Sequence, residues 1–186
     1  MTTIRHERAG DIDAREALLD EAFGEERFRK SSERLREERL PADGLSFIAA
    51  DAARVIGTAR MWNVGIGNGS SALLLGPVAV ACDQQNRGIG AALVSRAMRA
   101  AKKLGHAAIV LVGDASYYSR FGFTAEKTGA LWMPGPFERY RLLALELKPD
   151  ALEGAHGMIA ATGRRQPTPE LAPLLAQDRT QRRRAA

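Results

Sequence analysis

The most constraining feature of this 186-residue sequence is a glycine-rich segment that joins a buried-strand pattern to a long amphipathic helix pattern. Residues 72–80 form an apolar run of strand length, which predicts a strand buried on both faces. Residues 88–104 repeat apolar side chains at helical spacing, and Gly105 follows as a stop signal. A second apolar run at 107–112 completes a strand–helix–strand unit. This order predicts a mixed α/β fold.

The rest of the chain contains patterns for further strands and helices. A helix is predicted from Asp11, its N-cap, to Gly24, and a second, mostly exposed helix in the charged stretch 25–39. A turn at 51–54 separates two strand patterns, and residues 116–121 predict a short helix or turn. The predicted strands outside the central unit are 3–8, 45–50, 55–64, 142–147 and a last one at 158–161.

Length and composition bound the class of protein. A chain of this length with 45% hydrophobic residues is large enough for one domain with its own core. The single cysteine, Cys82, excludes an intramolecular disulfide and is expected in the core. The N-terminus lacks a signal-peptide pattern, and the apolar run 72–82 is about half the length that spans a bilayer. We therefore expect a soluble, cytoplasmic protein with no membrane partner.

The net charge of +5 is concentrated near the C-terminus. Residues 162–186 contain six arginines and two acidic residues, together with prolines that interrupt any regular element. We predict one domain at residues 1–162 and a basic, flexible tail at residues 163–186. The alternative is a basic arm for nucleic acid or another polyanion. Because the tail interpretation is favoured, nucleic acid is not expected as a partner.

The chemistry of the glycine-rich segment follows from its place at a helix start. Residues 85–91 read Gln-Asn-Arg-Gly-Ile-Gly-Ala. The first N–H groups of a helix have no intrahelical partners, and the helix dipole adds partial positive charge there. Gly88 and Gly90 remove side chains that would keep a diphosphate from these donors, and Arg87 adds a full charge. The segment therefore predicts an anion-binding site.

Two familiar phosphate motifs do not fit this segment. A P-loop needs Gly-Lys-Ser/Thr at the helix start, which the sequence lacks. A dinucleotide fingerprint needs a third small residue where Leu93 stands, although Asp114 could imitate its ribose-binding acid. The pyrophosphate of coenzyme A (CoA) and a glycine-rich turn without a ligand both stay open on this segment alone.

A second motif follows the next strand, where residues 117–123 read Tyr-Tyr-Ser-Arg-Phe-Gly-Phe. Together the two segments resemble the GNAT superfamily of acetyl-CoA-dependent N-acetyltransferases. That superfamily pairs a Gln/Arg-x-x-Gly-x-Gly/Ala loop with a downstream aromatic-Tyr-x-x-x-Gly-Phe. The matching residues are Gln85, Gly88 and Gly90, then Tyr117, Tyr118, Gly122 and Phe123. The resemblance covers roughly residues 3–147.

The resemblance implies a single-domain GNAT fold, with a mixed, mostly antiparallel central sheet splayed between two parallel strands and flanked by helices. Those strands would be the runs at 72–80 and 107–112, with acetyl-CoA bound between them as cosubstrate. No metal is expected, since the three histidines show no metal-ligand spacing. The residues assigned to CoA binding are Val78, Ala79, Val80, Gln85, Asn86, Arg87, Gly88, Ile89, Gly90, Ala91, Asp114 and Tyr117.

The resemblance also assigns a catalytic residue. Tyr118 falls where many members carry the tyrosine that protonates the departing thiolate, and Tyr117 would then face the core. Many relatives place a glutamate base on the strand equivalent to 72–80, but this strand has no acidic residue. Asp83 and Asp114 lie nearby without a clear role, so no base is assigned. Candidates for the acceptor pocket are Trp62, Asn63, Trp132 and Phe137.

The implied function is transfer of an acetyl or other short acyl group from acetyl-CoA to a primary amine by direct attack. One alternative is a sensor of the same fold that holds acyl-CoA without turnover. Another is a nucleic-acid-associated protein that uses the arginine tail. The expected partner is a small-molecule or peptide amine, and the sequence leaves open whether the chain forms a homodimer.

Overall fold

A single mixed sheet organises the computed structural model, which describes residues 2–67 and 69–167. The helices in these ranges are α1 (Ile12–Phe23), α2 (Ile89–Lys103) and α3 (Ala115–Tyr118). The strands are β1 (Thr2–His6), β2 (Ser46–Asp51), β3 (Arg54–Ile66), β4 (Ser71–Val80), β5 (Ala108–Val112), β6 (Leu131–Trp132), β7 (Leu142–Glu146) and β8 (Gly157–Ala161).

The strands follow the order β1-β2-β3-β4-β5-β7 across the sheet. Neighbours along this path are antiparallel except β4 and β5, which are parallel. β8 pairs antiparallel with the end of β3 and parallel with β6. α2 connects β4 to β5, as a parallel pair requires a crossover. The predicted mixed, mostly antiparallel fold with flanking helices is confirmed.

β4 and β5 pair over only two positions before they separate. The paired residues are Leu73 with Ile109 and Leu74 with Val110. β4 continues to Val80, and within this unpaired part the carbonyl of Gly76 accepts a hydrogen bond from the Trp62 indole at 2.6 Å. Pro77 has no N–H to donate to a neighbouring strand. The predicted splay is confirmed, and it opens a gap in the middle of the sheet.

Apolar layers cover both faces of the sheet, and α2 packs closely on one of them. Its buried residues are Ile89, Leu93, Val94, Ala97 and Ala101. A Cβ atom at Gly57 of β3 would lie 2.9 Å from Cδ1 of Leu93 and 3.2 Å from the carbonyl oxygen of Ala79. Because Gly57 has no side chain, α2 can pack closely on the sheet, and the N-terminus of α2 lies beside the end of β4.

The predicted second helix is wrong. Residues 25–39 contain two short 3-10 helices, Glu25–Arg29 and Glu33–Leu35. Arg27 forms ion pairs with two acidic residues of α1, and Arg36 is only 8% exposed. Because these side chains fold back onto the body, their tertiary contacts override the helical propensity of the charged stretch.

The expected core position of Cys82 is also wrong. Cys82 is exposed and begins the 3-10 helix Cys82–Gln84, which follows β4 outside the sheet. The apolar pattern of β4 ends at Val80, and the buried neighbour of the cysteine is Ala81.

The predicted domain boundary at 162 falls inside a segment that is attached to the body. The backbone carbonyl of Arg164 accepts a hydrogen bond from Leu40 at 2.8 Å, and Gln166 donates to Glu38 at 2.8 Å. Residues 168–186 of the predicted tail lie outside the described residues. No helix within the described ranges combines the length and apolar character of a membrane-spanning helix.

Candidate functional site

A groove of about 610 Å³ lies where β4 leaves β5 and the start of α2 faces α3. We refer to it as the glycine-loop groove. Its lining residues are Val78, Ala79, Val80, Gln84, Gln85, Asn86, Gly88, Ile89, Gly90, Ala91, Tyr117, Tyr118 and Arg120. The structure thus brings the predicted CoA-binding residues into one groove, with the exceptions of Arg87 and Asp114.

The N-terminus of α2 forms one wall of this groove. Asn86 has φ of 60° and Gly88 has φ of 76°, left-handed conformations that suit asparagine and glycine. The first intrahelical bond runs from the N–H of Ala92 to the carbonyl of Gly88 at 2.9 Å. Among the described residues, no side chain caps this helix end. The N–H groups before Ala92 can therefore bind an anion.

Tyr117 faces the glycine loop, which corrects the expectation that it faces the core. A Cβ atom at Gly90 would lie only 3.1 Å from the Tyr117 hydroxyl oxygen. The ring is half-buried and lines the groove. Tyr118, not Tyr117, packs against the main apolar cluster. The ring planes of the two tyrosines are 84° apart, so the two side chains leave α3 in different directions.

Arg120 supplies the cation of the groove, and the sequence analysis did not identify it. Its guanidinium lies 4.6 Å from the centre of the Tyr117 ring, and both residues line the groove. The expected cation, Arg87, lies outside the lining and donates a hydrogen bond to Gln84 at 2.6 Å. The spacing of Arg120, three residues after Tyr117 in a helical segment, is the signal that could have indicated it.

Tyr118 is held by a close contact with the end of β5. A Cβ atom at Gly113 would lie 2.8 Å from Cδ2 of the Tyr118 ring. The ring also packs edge-on against Phe123, with ring centres 5.9 Å apart. The absence of a side chain at residue 113 therefore defines the position of this tyrosine.

Burial raises the pKa of the Tyr118 hydroxyl to about 12, and the neighbouring Tyr117 adds to this effect. A buried phenol loses hydration that would stabilise its anion, so it keeps its proton. No other described residue forms a hydrogen bond with this hydroxyl. Tyr118 therefore presents a neutral O–H donor that has no hydrogen-bond partner within residues 2–67 and 69–167.

A second cavity, of about 250 Å³, lies on the other side of Tyr118. We call it the basic cavity. It is enclosed by the segment after α1, the bend of β4 and the end of β5. Its charged lining residues are Arg27, Lys30, Glu33, Arg36, Asp114 and Arg141. Val78 and Tyr118 line both the basic cavity and the glycine-loop groove, so the two spaces meet at these residues.

The two carboxylates of the basic cavity are already engaged. Asp114 caps α3 by accepting a hydrogen bond from the N–H of Ser116 at 2.8 Å, and this contact lowers its pKa. It lines the basic cavity and not the groove, contrary to its expected CoA contact. Glu33 pairs with Arg36 at 2.8 Å. Neither carboxylate is placed as a free base.

The other acid considered as a base, Asp83, lines neither the groove nor the basic cavity. It forms a bidentate pair with Arg54 at 2.7 and 2.9 Å on the surface. Its hydrogen bonds with Arg54 lower its pKa to about 2. Asp83 therefore stabilises the turn after β4 and is a poor proton acceptor near neutral pH.

Only one of the residues expected around an acceptor lies next to the basic cavity. Phe137 lines a shallow cleft that shares Lys30 and Arg141 with the cavity. Trp62 is buried and bound to Gly76, whereas Trp132 is 52% exposed and stacks with Arg139. Neither tryptophan lines the cavity or the cleft, and Asn63 does not either. In the described ranges, no group of three or more His, Cys, Asp or Glu residues is arranged to hold a metal.

Sequence comparisons match this chain to acetyltransferases. A family model for the acetyltransferase (GNAT) domain matches residues 42–125, a range that contains the glycine loop and Tyr118. The uncharacterized N-acetyltransferase YhbS from Escherichia coli strain K12 is 31% identical over 158 residues. The match covers 84% of this chain and 93% of that relative.

Solved structures share the architecture. The crystal structure of the GNAT family N-acetyltransferase YhbS from Escherichia coli in complex with CoA has a TM-score of 0.73 and 29% identity. That match covers 86% of this chain and 89% of the other. A GNAT family acetyltransferase from Brucella melitensis in complex with acetyl-CoA has a TM-score of 0.66 and 26% identity, with coverage of 86% and 95%.

Proposed function

The chain belongs to the GNAT family of N-acetyltransferases, and on this premise we propose that it transfers an acetyl group from acetyl-CoA to an amine where two adjacent spaces share a wall. Acetyl-CoA occupies the glycine-loop groove, and an amine acceptor enters from the basic cavity. The observation that carries the proposal is that the two spaces share Val78 and Tyr118. A thioester at this junction would contact both the acceptor and the tyrosine.

The start of α2 is proposed to hold the CoA pyrophosphate. Its uncapped N–H groups and dipole favour an anion, and Gly88 and Gly90 let the phosphates approach the backbone. Arg120 adds a positive charge beside Tyr117. Relatives crystallised with CoA and with acetyl-CoA support this cosubstrate. The unpaired edge of β4 near residues 78–80 offers backbone groups for the pantetheine arm.

The chemistry at the junction is direct attack of a neutral amine on the thioester carbonyl. The carbonyl oxygen becomes an oxyanion, which backbone donors of the splayed β4 can stabilise. Collapse of the tetrahedral intermediate breaks the carbon–sulfur bond and releases CoA. The Tyr118 hydroxyl donates its proton to the departing sulfur and recovers one from solvent.

The raised pKa of Tyr118 constrains how this proton moves. A thiol has a pKa of about 8.5, so full transfer from a phenol of pKa about 12 would cost about 5 kcal/mol. We therefore assign Tyr118 to hydrogen-bond donation that strengthens as negative charge develops on the sulfur. The transfer itself is uphill by this amount, and reprotonation of the tyrosinate from solvent drives it to completion.

No side chain is assigned as a base. The pKa of the acceptor amine therefore sets the free energy needed to deprotonate it without one. At pH 7, deprotonation costs about 1 kcal/mol for an α-amine and about 4.6 kcal/mol for a lysine-type amine. The cations of the basic cavity further disfavour an ammonium group. After attack, the nitrogen of the tetrahedral intermediate is a cationic ammonium group, and water accepts its proton before the carbon–sulfur bond breaks.

The test is release of the CoA thiol from acetyl-CoA in the presence of a panel of amines and peptides. Amine-dependent release, with formation of the acetylated amine, supports the transferase. Saturable CoA binding with no release for any amine would contradict it and favour the acyl-CoA sensor. The sensor is retained as the second candidate because β4 contains no acidic residue that could act as a base.

A further inference from the structure

The basic cavity is lined by more cationic than acidic side chains, and its acidic side chains already have hydrogen-bond or ion-pair partners. Four cationic side chains line it, against the carboxylates of Glu33 and Asp114. Arg27 is held by Glu16 at 2.6 Å and Asp20 at 2.9 Å, outside the cavity. Arg36 is held by Glu33. Lys30 and Arg141 remain as the cations with incomplete internal partners.

Lys30 has no acidic partner in the described part of the chain. Among the described residues, no carboxylate is paired with its ammonium group, which lies 4.5 Å from the centre of the Phe23 ring. Burial lowers the pKa of Lys30, and the positive charges of Arg36 and Arg141 lower it further. The potential at this position is therefore positive, and an anion bound there would relieve it.

Arg141 has a donor that nothing in the described chain satisfies. Its Nε atom is buried without a hydrogen-bond partner, while its NH1 group reaches Glu138 at only 3.3 Å. Its carbonyl accepts a hydrogen bond from the N–H of Gly113 at 2.9 Å. Because Gly113 also supports the Tyr118 ring, this bond ties Arg141 to the junction of the groove and the cavity.

Resting on the proposed function, we propose that the acceptor amine carries a carboxylate or phosphate group, which Lys30 and Arg141 bind in the basic cavity. Arginine and lysine recognise both groups through charge-assisted hydrogen bonds, and arginine can form two such bonds at once. The basic cavity, of about 250 Å³, has room for the charged group and the amine of an acceptor. The neighbouring cleft of about 480 Å³ shares Lys30 and Arg141 with it and leaves room for the rest of a larger acceptor.

The test compares acceptors that differ in the group beside the amine, with each kcat/KM expressed per neutral amine, because a carboxylate or phosphonate makes the neighbouring amine more basic than an amide does. Amino acids, their amides and the corresponding aminophosphonates are assayed with saturating acetyl-CoA. We expect kcat/KM for the carboxylates or the phosphonates to exceed that for the amides by about 10-fold or more. Preference for one charged series over the other distinguishes a carboxylate from a phosphate acceptor. Amides that equal or exceed both charged series would overturn the proposal.

Two variants locate the selectivity. Lys30→Gln and Arg141→Gln should each reduce the acid-to-amide ratio of kcat/KM by about 10-fold, mainly through KM for the acid. Arg29→Gln is the matched control, because Arg29 is adjacent in sequence but is paired with Glu26 and does not line the cavity. An unchanged ratio in both cavity variants contradicts the assignment of these residues. The dissociation constant for CoA, measured by calorimetry, should stay the same and reports that each variant is folded.

A binding measurement separates this proposal from the proposed function. The CoA-loaded protein is titrated with N-acetylated amino acids, their amides and the corresponding N-acetylated aminophosphonates. Saturable binding of either charged series, lost in Arg141→Gln, supports an anion site even if no acceptor turns over. If CoA binds but neither charged series does, the anion site is wrong. If CoA itself fails to bind, the proposed function is wrong.

Discussion

The ring of Tyr118 lies so close to the α-carbon of Gly113 that a methyl group at position 113 would stand 2.8 Å from Cδ2 of the ring. The same glycine donates its N–H to the carbonyl of Arg141. One small residue at the end of β5 therefore sets the place of the proposed proton donor and of the proposed anion-binding arginine.

This contact predicts the effect of Gly113→Ala. The added methyl group must push the Tyr118 ring away from the junction, so kcat should fall by about 10-fold or more. CoA affinity, measured by calorimetry, should change by less than about 3-fold, since the start of α2 is untouched. Gly129→Ala is the control, because a Cβ atom there meets nothing within 4 Å. Full activity in Gly113→Ala would show that the ring position is not critical.

A second prediction concerns the glycine loop. Gly90→Val places a branched side chain against the Tyr117 hydroxyl and over the N–H groups of α2, so the dissociation constant for CoA should rise by about 10-fold or more. Ala92→Val adds the same side chain to an exposed position of the same helix and should change it little. Equal CoA affinity in the two folded variants would exclude the loop as the pyrophosphate site.

The third prediction distinguishes two arginines. Arg120 lines the groove, whereas Arg87 does not line it and donates a hydrogen bond to Gln84. Arg120→Gln should weaken CoA binding by about 10-fold, and the loss should shrink at high salt because screening reduces the contribution of the charge. Arg87→Gln should have a smaller effect. The measurement is the dissociation constant for CoA, by calorimetry at two salt concentrations. A greater loss of affinity in Arg87→Gln than in Arg120→Gln would assign the phosphate contact to Arg87 instead.

The fourth prediction concerns alkaline pH. Because burial raises the pKa of Tyr118 to about 12, its hydroxyl should keep its proton, and kcat should show no loss from tyrosine ionisation below about pH 11. In the unfolded chain a tyrosine ionises near pH 10, so the unfolded state loses protons first. The free energy of unfolding should therefore fall as the pH rises from about 10 towards 12.

Tyr118→Phe should remove this part of the alkaline destabilisation, as seen in denaturant unfolding at several pH values. Tyr140→Phe is the comparison and should remove a smaller part, because Tyr140 is 66% exposed and water screens the hydrogen bond to Glu138 that raises its pKa. Ionisation of Tyr118 near pH 10 in the folded protein, followed by ultraviolet difference spectroscopy, would contradict the buried environment of the hydroxyl.

The sequence was sufficient to predict the parts of the fold that depend on local patterns. α2, the glycine loop and the apolar strands β4 and β5 each have their signal in consecutive residues, so their order could be inferred. The splay between the strands and the roles of Tyr117 and Tyr118 came from the resemblance to the GNAT superfamily. Which tyrosine faces the loop depends on contacts with Gly90 and Gly113, and helical spacing alone does not determine it.

The basic cavity could not be predicted from the sequence. Lys30 and Arg141 are more than 100 residues apart, and only the fold brings both to the end of β5. The segment that carries Lys30 has the composition of an exposed helix. Its Arg27 nevertheless pairs with Glu16 of α1, and its Arg36 pairs with Glu33 of the same segment. The charge pattern indicated solvent exposure, whereas tertiary contacts determined the actual arrangement.

The most direct test of the account is the turnover number of Tyr118→Phe at saturating acetyl-CoA, with the best acceptor from the amine panel and with Tyr117→Phe for comparison. Removing only the hydroxyl should lower kcat by about 10²-fold or more while CoA affinity stays within about 3-fold. Tyr117→Phe should retain most of its turnover. Full turnover in Tyr118→Phe, or a greater loss in Tyr117→Phe, would contradict the assignment of Tyr118 as the proton donor.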